Sequence, residues 1–123
     1  MNDYSEEILD HYENPNHFGR ILNADKRAYD LNPLCGDHLI FEVKLENNKI
    51  KDVKYSGNGC AISQATADLL IDEMIGKSFD ELKSINSEYV LKLVGIKLSP
   101  ARIKCALLSF EILKKLINPK DIA

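Results

Sequence analysis

His38-Leu39-Ile40-Phe41-Glu42-Val43-Lys44-Leu45-Glu46-Asn47-Asn48-Lys49-Ile50-Lys51-Asp52-Val53-Lys54-Tyr55-Ser56 is the stretch that decides the fold. In its first half Leu39, Phe41, Val43 and Leu45 alternate with His38, Ile40, Glu42, Lys44 and Glu46, the period of a half-buried strand. Asn47-Asn48 suits a tight hairpin turn, because asparagine tolerates positive φ. Lys49 to Ser56 then returns as the next strand. Ile50 falls out of phase with Val53 and Tyr55, which a β-bulge would explain. Upstream, Lys26 to Leu31 reads as a further strand.

The flanks read as helix. Ser5 can cap a first helix with Ile8, Leu9 and Tyr12 on one side and Glu6, Glu7 and Asp10 on the other. Acidic residues in that first turn suit the helix dipole. Asn14-Pro15 stops it, since proline disfavours helix at the residue before it. His17-Phe18-Gly19-Arg20 reads as loop. After the hairpin, Gly57-Asn58-Gly59 is expected to break the strand. A helix then runs from about Ala61 to Ile75, with Ile62, Ala65, Leu69 and Ile75 apolar and Gly76 as its stop. Ser78-Phe79-Asp80-Glu81 is a capping box for a short helix. Ser87 is placed as the cap of another, Glu88 to Val94, closed by Gly95. Ser99-Pro100 opens the last helix, with proline at the tolerated first position. Its expected buried stripe is Ile103, Leu107, Phe110, Leu113 and Ile117, and Pro119 is expected to end it.

This order predicts an α+β fold in which an antiparallel sheet of about three strands is covered on one face by helices. At 123 residues the chain suits one domain spanning residues 1–123. Hydrophobic residues make up 45%, enough for a core without staples. Sixteen basic against 19 acidic residues, a formal charge of -3, leave no basic excess to attract nucleic acid. The apolar runs are too short for a membrane span. Met1 to Glu7 has neither the basic region nor the apolar block of a signal peptide, so a cytoplasmic protein is expected. In a reducing compartment cysteines act as thiolates, ligands or core residues more often than as disulfides.

Three stretches hold all the cysteines: Asn32-Pro33-Leu34-Cys35-Gly36-Asp37, Ser56-Gly57-Asn58-Gly59-Cys60-Ala61-Ile62-Ser63 and Arg102-Ile103-Lys104-Cys105-Ala106-Leu107-Leu108. Cys35 and Asp37 are two apart, so an extended backbone projects both to one side. Cys60 stands just before a predicted helix, where free N–H groups and the dipole favour a thiolate. Cys105 falls in the second turn of the last helix. Arg102, three residues earlier, shares its face and could also favour the anion. Lys104 reads as a solvated lysine that could also counter negative charge at such a site. Three sulfurs and one carboxylate match the four ligands of tetrahedral zinc. They also approximate the four ligands of a [2Fe–2S] cluster, with a weaker oxygen in one position that would ease release. A lone cysteine, however, is more often a small buried hydrophobe than a ligand, and Cys105 among apolar neighbours fits either reading. There is no C-x-x-C pair to decide the matter. His38 should face away from Asp37, and His11 and His17 read as helix-face and loop residues rather than ligands. No histidine sits in a motif that would serve a cysteine nucleophile.

Asn-Pro-x-Cys-Gly-Asp, Gly-x-Gly-Cys-Ala-Ile-Ser and Arg-x-Lys-Cys-Ala, in this order, resemble the IscU/SufU/NifU N-terminal family of iron–sulfur cluster assembly proteins. Tyr4-Ser5-Glu6 and Asp10-His11-Tyr12-Glu13-Asn14-Pro15 resemble that family's opening segment. The resemblance implies a SufE/NifU-like α+β fold with Cys35, Asp37, Cys60 and Cys105 as ligands of Zn2+, Fe2+ or a transient [2Fe–2S] cluster. It implies sulfur from a cysteine desulfurase, taken up as a persulfide. Which cysteine accepts it stays open; Cys35 is the candidate acceptor, because it is expected on the more mobile loop. It also implies apo iron–sulfur acceptor or carrier proteins as further partners. Arg102 and Lys104 would stand behind the ligands. A monomer or weak homo-oligomer is expected. On this reading the chain is a scaffold rather than an enzyme. The enzyme alternative is a SufU-like, zinc-dependent sulfurtransferase, and a purely structural zinc domain is a third reading. The features are mixed. Pro100-Ala101-Arg102-Ile103-Lys104-Cys105 is similar to the SufU branch, whereas the length matches IscU. Leu98-Ser99-Pro100-Ala101-Arg102 departs from the Leu-Pro-Pro-Val-Lys stretch by which IscU proteins bind their chaperone.

Overall fold

The computed structural model describes residues 5–118. Its elements are α1 (Glu6–Glu13), β1 (Lys26–Leu31), β2 (His38–Glu46), β3 (Lys49–Asn58), α2 (Ala61–Met74), α3 (Phe79–Leu82), α4 (Ser87–Val94) and α5 (Pro100–Ile117). The strands form an antiparallel sheet in the order β1-β2-β3.

The hairpin turns on Asn47 and Asn48, at φ 54 and 64. Two successive positive-φ residues make the mirror-image turn whose twist matches that of the strands. The expected bulge is present. Lys44 pairs with Asp52 but Leu45 pairs with Ile50, so Lys51 is the extra residue. That insertion lets Ile50, Val53 and Tyr55 all bury their side chains.

One expectation fails here. Gly57 does not break β3, which continues to Asn58, with Gly57 opposite Leu39 and Asn58 opposite His38. A Cβ on Gly57 would stand 2.3 Å from the carbonyl oxygen of His38, and its φ is +124°. The glycine permits a close cross-strand approach rather than ending the pairing. Phe18 likewise is more than loop. It makes a parallel bridge to Tyr55 and stacks edge-on against its ring at 5.3 Å. Together with Gly76 and Lys77, which bond to Ile50, it covers part of the free edge of β3.

Leu39, Phe41, Val43, Ile50, Val53 and Tyr55 pack from the sheet against Leu70, Ile71 and Met74 of α2 and Leu108, Ile112 and Leu113 of α5. α2 is buried nearly all round, because the sheet lies on one side and α1, α4 and α5 on the others. For α5 the expected stripe holds fully only at Leu113. The buried residues are Cys105, Ala106, Leu108, Ser109, Ile112, Leu113 and Leu116. Leu107, Phe110 and Ile117 are partly buried at the border of that face. Pro119 lies outside the described residues.

The caps hold the helices in register. Ser5, Ser78 and Ser99 cap as expected, and Ser78 with Glu81 closes the capping box. Asn86, not Ser87, caps α4, its Oδ1 accepting from the N–H of Tyr89 at 2.8 Å. In α1 only Ile8 is fully buried, while Tyr12 is 40% exposed. Among the described residues no helix is long and apolar enough to cross a membrane.

Candidate metal centre

The turn from β1 into β2 is built by Asn32. Its N–H donates to the Asp37 carbonyl at 2.7 Å, extending the ladder by one rung. Its own carbonyl accepts from the N–H groups of Cys35 (3.3 Å) and Gly36 (2.8 Å), while its Oδ1 accepts from Leu34 N–H at 3.1 Å. Gly36 completes the turn at φ +78, which suits glycine. The remaining amide group, Nδ2, is directed at Cys105 Sγ, 3.9 Å away. One buried asparagine thus shapes the loop that carries Cys35 and Asp37 and touches the third cysteine.

Cys60 is the N-cap of α2, its sulfur facing the N–H of Ser63 at 3.5 Å. Ser63 is fully buried, and its hydroxyl donates back to the Cys60 carbonyl at 3.1 Å. Gly59 leaves room for this arrangement. A Cβ there would meet Ser63 Oγ at 2.3 Å and Asp37 Cγ at 3.4 Å. Cys105 comes from the second turn of α5 and is 8% exposed.

The three elements converge. The ligand atoms of Cys35, Asp37 and Cys105 all lie within 4.8 Å of one another, and the sulfurs of Cys35 and Cys105 are 3.7 Å apart. Cys60 lies outside that trio but borders it, close enough to act on the ionisation of both Asp37 and Cys105. Cys35 is exposed, Cys60 half-buried and Cys105 buried. A donor approaching from solvent therefore meets Cys35 first.

The electrostatics suit a cation. Burial works against ionisation of Asp37, but the Cys60 N–H, the thiols of Cys60 and Cys35 and the Ser63 hydroxyl outweigh it and lower its pKa. Its Oδ2 is buried and has no hydrogen-bond partner among the described residues. Such an orphaned oxygen costs about 1–3 kcal/mol, which a cation among the donors would recover. The Cys105 thiol is pushed up to about 12, first by burial and then by Cys60 and Cys35. The help expected from Arg102 toward the anion is thus overridden. Lys104 is exposed and, with Asp30, Asn32, Leu107 and Glu111, lines a groove of about 390 Å³ beside the site.

His38 is exposed, as expected. His11 and His17 do not join the sulfurs. His11 Nδ1 meets Asp68 Oδ2 at 2.6 Å and His17 Nε2 meets Asp72 Oδ1 at 2.6 Å. Asp68 is fully buried and also accepts from the N–H groups of Asn16 and His17. It ties the amino-terminal segment to α2, a role that sequence reading missed. An aspartate set among Ala65, Ala67 and Leu69 of a buried helix was the available signal. Asn32 and Ser63 were missed too, although both lie inside the quoted motifs.

Comparison with known proteins places these features in a lineage. The chain is 36% identical over 132 positions to the zinc-dependent sulfurtransferase SufU of Bacillus subtilis (strain 168), covering 91% of this chain and 87% of that protein. It is 34% identical over 132 positions to the iron–sulfur cluster assembly scaffold protein IscU of Streptococcus pyogenes serotype M1, covering 94% and 82%. A crystal structure from Fervidobacterium islandicum AW-1, provisionally described as an iron–sulfur cluster assembly scaffold for the SUF system, superposes with a TM-score of 0.78. That pair shares 31% identity over 90% of this chain and 93% of the other. The profile described as NifU-like N terminal domain matches residues 3–119, and the chain belongs to that family.

Proposed function

We propose that the chain is an iron–sulfur cluster assembly scaffold. It receives sulfur from a cysteine desulfurase, binds Fe2+, carries a transient [2Fe–2S] cluster and hands it to apo acceptor or carrier proteins. The cluster is cargo, and Cys35, Asp37, Cys60 and Cys105 are the residues that would hold it. One observation carries this reading. The sulfurs of Cys35 and Cys105 and the Asp37 carboxylate, one oxygen of which is buried without a hydrogen-bond partner among the described residues, meet at one place, and Cys60 borders it. Cys35, the exposed sulfur, is the proposed persulfide acceptor. Its thiolate would attack the donor's outer sulfur, since sulfur transfer needs a reachable nucleophile. Arg102 and Lys104, on the same helix as Cys105, would moderate the negative charge of a loaded site. The reading places the chain in the cytoplasm, as a monomer or weak homo-oligomer.

The test is anaerobic reconstitution with ferrous iron and sulfide. A visible-absorbing product, lost or altered in Cys35→Ala, supports the scaffold. A colourless protein that keeps tightly bound zinc refutes it.

A second reading is favoured by the identity to SufU and by Lys104 standing immediately before Cys105. In it Zn2+ is resident on the same four side chains, which fit it in number and type. The chain then acts as a zinc-dependent sulfurtransferase. Strong stimulation of a SufS-type desulfurase by the zinc-loaded chain supports it, and no stimulation refutes it.

A further inference from the structure

The scaffold reading needs sulfur at the oxidation level of sulfide, whereas a persulfide delivers sulfane sulfur, two electrons short. The inference below rests on that reading only in taking a persulfide as the incoming form. The site already holds two thiols in contact, with the sulfurs of Cys35 and Cys105 at 3.7 Å. A disulfide bond is about 2.05 Å long, so the pair would close by a further ~1.7 Å.

The two cysteines are unequal in a useful way. Cys35 is exposed on a turn, and a Cβ on the adjacent Gly36 would meet nothing within 4 Å, so there is room for the loop to shift. Cys105 is buried in α5 beneath it, with the Asn32 amide directed at its sulfur. An outside donor reaches Cys35, and Cys105 then lies behind the newly loaded sulfur. Cys60 is also close enough to act on the ionisation of Cys105, but its sulfur is engaged by the N–H of Ser63 at the start of α2.

We propose that Cys35 and Cys105 act as an internal two-electron reductant that converts a sulfane sulfur delivered to Cys35 into sulfide. Cys105 Sγ bonds to Cys35 Sγ, and the bond from Cys35 Sγ to the outer sulfur breaks. The outer sulfur leaves with that bond's electron pair and takes up the Cys105 proton. In balance, the Cys35 persulfide and the Cys105 thiol give one Cys35–Cys105 disulfide and one hydrogen sulfide. The sulfane sulfur gains the two electrons that the cysteine sulfurs lose. Sulfide is thereby produced beside Asp37 and Cys60. Each reduced chain does this once, and a dithiol reductant must reopen the disulfide before the next round.

The test uses the full chain, stripped of metal, fully reduced and kept free of oxygen, with one equivalent of glutathione persulfide as the probe. Wild type should release about one sulfide per chain and become about 2 Da lighter, with peptide mapping showing a Cys35–Cys105 link. Cys105→Ser should instead retain an adduct about 32 Da heavier and release at least ~10-fold less sulfide. Cys35→Ser should form no such link. A stable adduct on wild type, a link through Cys60, or equal sulfide from Cys105→Ser would overturn the proposal. The wild-type peptide map decides even if a variant misfolds. Reconstitution with ferrous iron and ready-made sulfide bypasses this step. Colour there without the disulfide here sinks the inference and leaves the scaffold reading standing; the disulfide without colour does the reverse.

Discussion

Replacing Glu42 with glutamine should cost stability at neutral pH and cost little in acid. Glu42 is only 1% exposed, although it lies on the sheet face away from the helices. Its Oε1 accepts from Arg20 Nε at 2.6 Å and from Ile21 N–H at 3.2 Å, while Arg27 bonds to Oε2. These contacts pin the segment after Phe18 over the sheet. The Arg20 hydrogen bond leads in holding the Glu42 carboxyl down to about 2, against a burial penalty, with Arg27 and Ile21 adding to it. The folded value lies below the unfolded one. The stabilisation is therefore complete above the unfolded value of 4.5 and disappears as pH falls through about 2. A gap of that size corresponds to about 3 kcal/mol at 1.36 kcal/mol per unit. Arg20 and Arg27 are 61% and 58% exposed, and solvent screening reduces the expected net effect to about 1–2 kcal/mol. For a chain of this size that lowers Tm by about 3–8 °C. Urea unfolding of wild type and Glu42→Gln at a series of pH values measures it. The two stabilities should differ at pH 7 and converge as the pH approaches the folded value. A gap that stays constant into acid would refute the reasoning, since it would owe nothing to the charge.

Three further outcomes concern the site. Asp37→Ala should lengthen the life of a bound cluster, because the oxygen ligand is the labile one; transfer to an apo acceptor as fast as wild type would contradict this. Gly59→Ala should keep the fold, by circular dichroism, yet weaken metal binding in chelator competition by about 10–100-fold, because its Cβ displaces Ser63 from Cys60 and crowds Asp37; unchanged affinity would contradict it. Cys105 is raised to about 12 without metal, so binding must expel its proton, and affinity should fall about tenfold for each unit the pH is lowered, per proton released. Calorimetry in buffers of different ionisation enthalpy should report that release, and pH-independent binding would contradict it.

What could be read from the chain and what could not divide along a physical line. The hairpin was legible because its causes are local: alternation in β2, two asparagines able to hold positive φ, and Ile50 out of phase where Lys51 is extra. The serine caps and the Ser78–Glu81 box were legible for the same reason. Glu42 was not. Alternation assigns it to solvent, and only a segment 15 to 22 residues earlier, folding back over the sheet, buries it. The face of α5 was misjudged because α2 and the sheet bury a wider arc than one stripe, small and polar Ala106 and Ser109 included. At the site, spacing alone left Cys105 open between core and ligand, and it was resemblance in three motifs that favoured the ligand reading. Asn32 escaped notice because its role is to satisfy the backbone of a turn and reach a sulfur 73 positions away, a contact no local pattern encodes.

X-ray absorption at the edge of the metal bound by anaerobically purified protein tests the central claim most directly. Ligation by Cys35, Cys60, Cys105 and Asp37, as proposed, predicts a first shell dominated by sulfur at about 2.3 Å with one lighter scatterer. Cys35→Ser should lose sulfur from that shell. A shell of oxygen and nitrogen alone, or one unchanged in Cys35→Ser, would contradict the account.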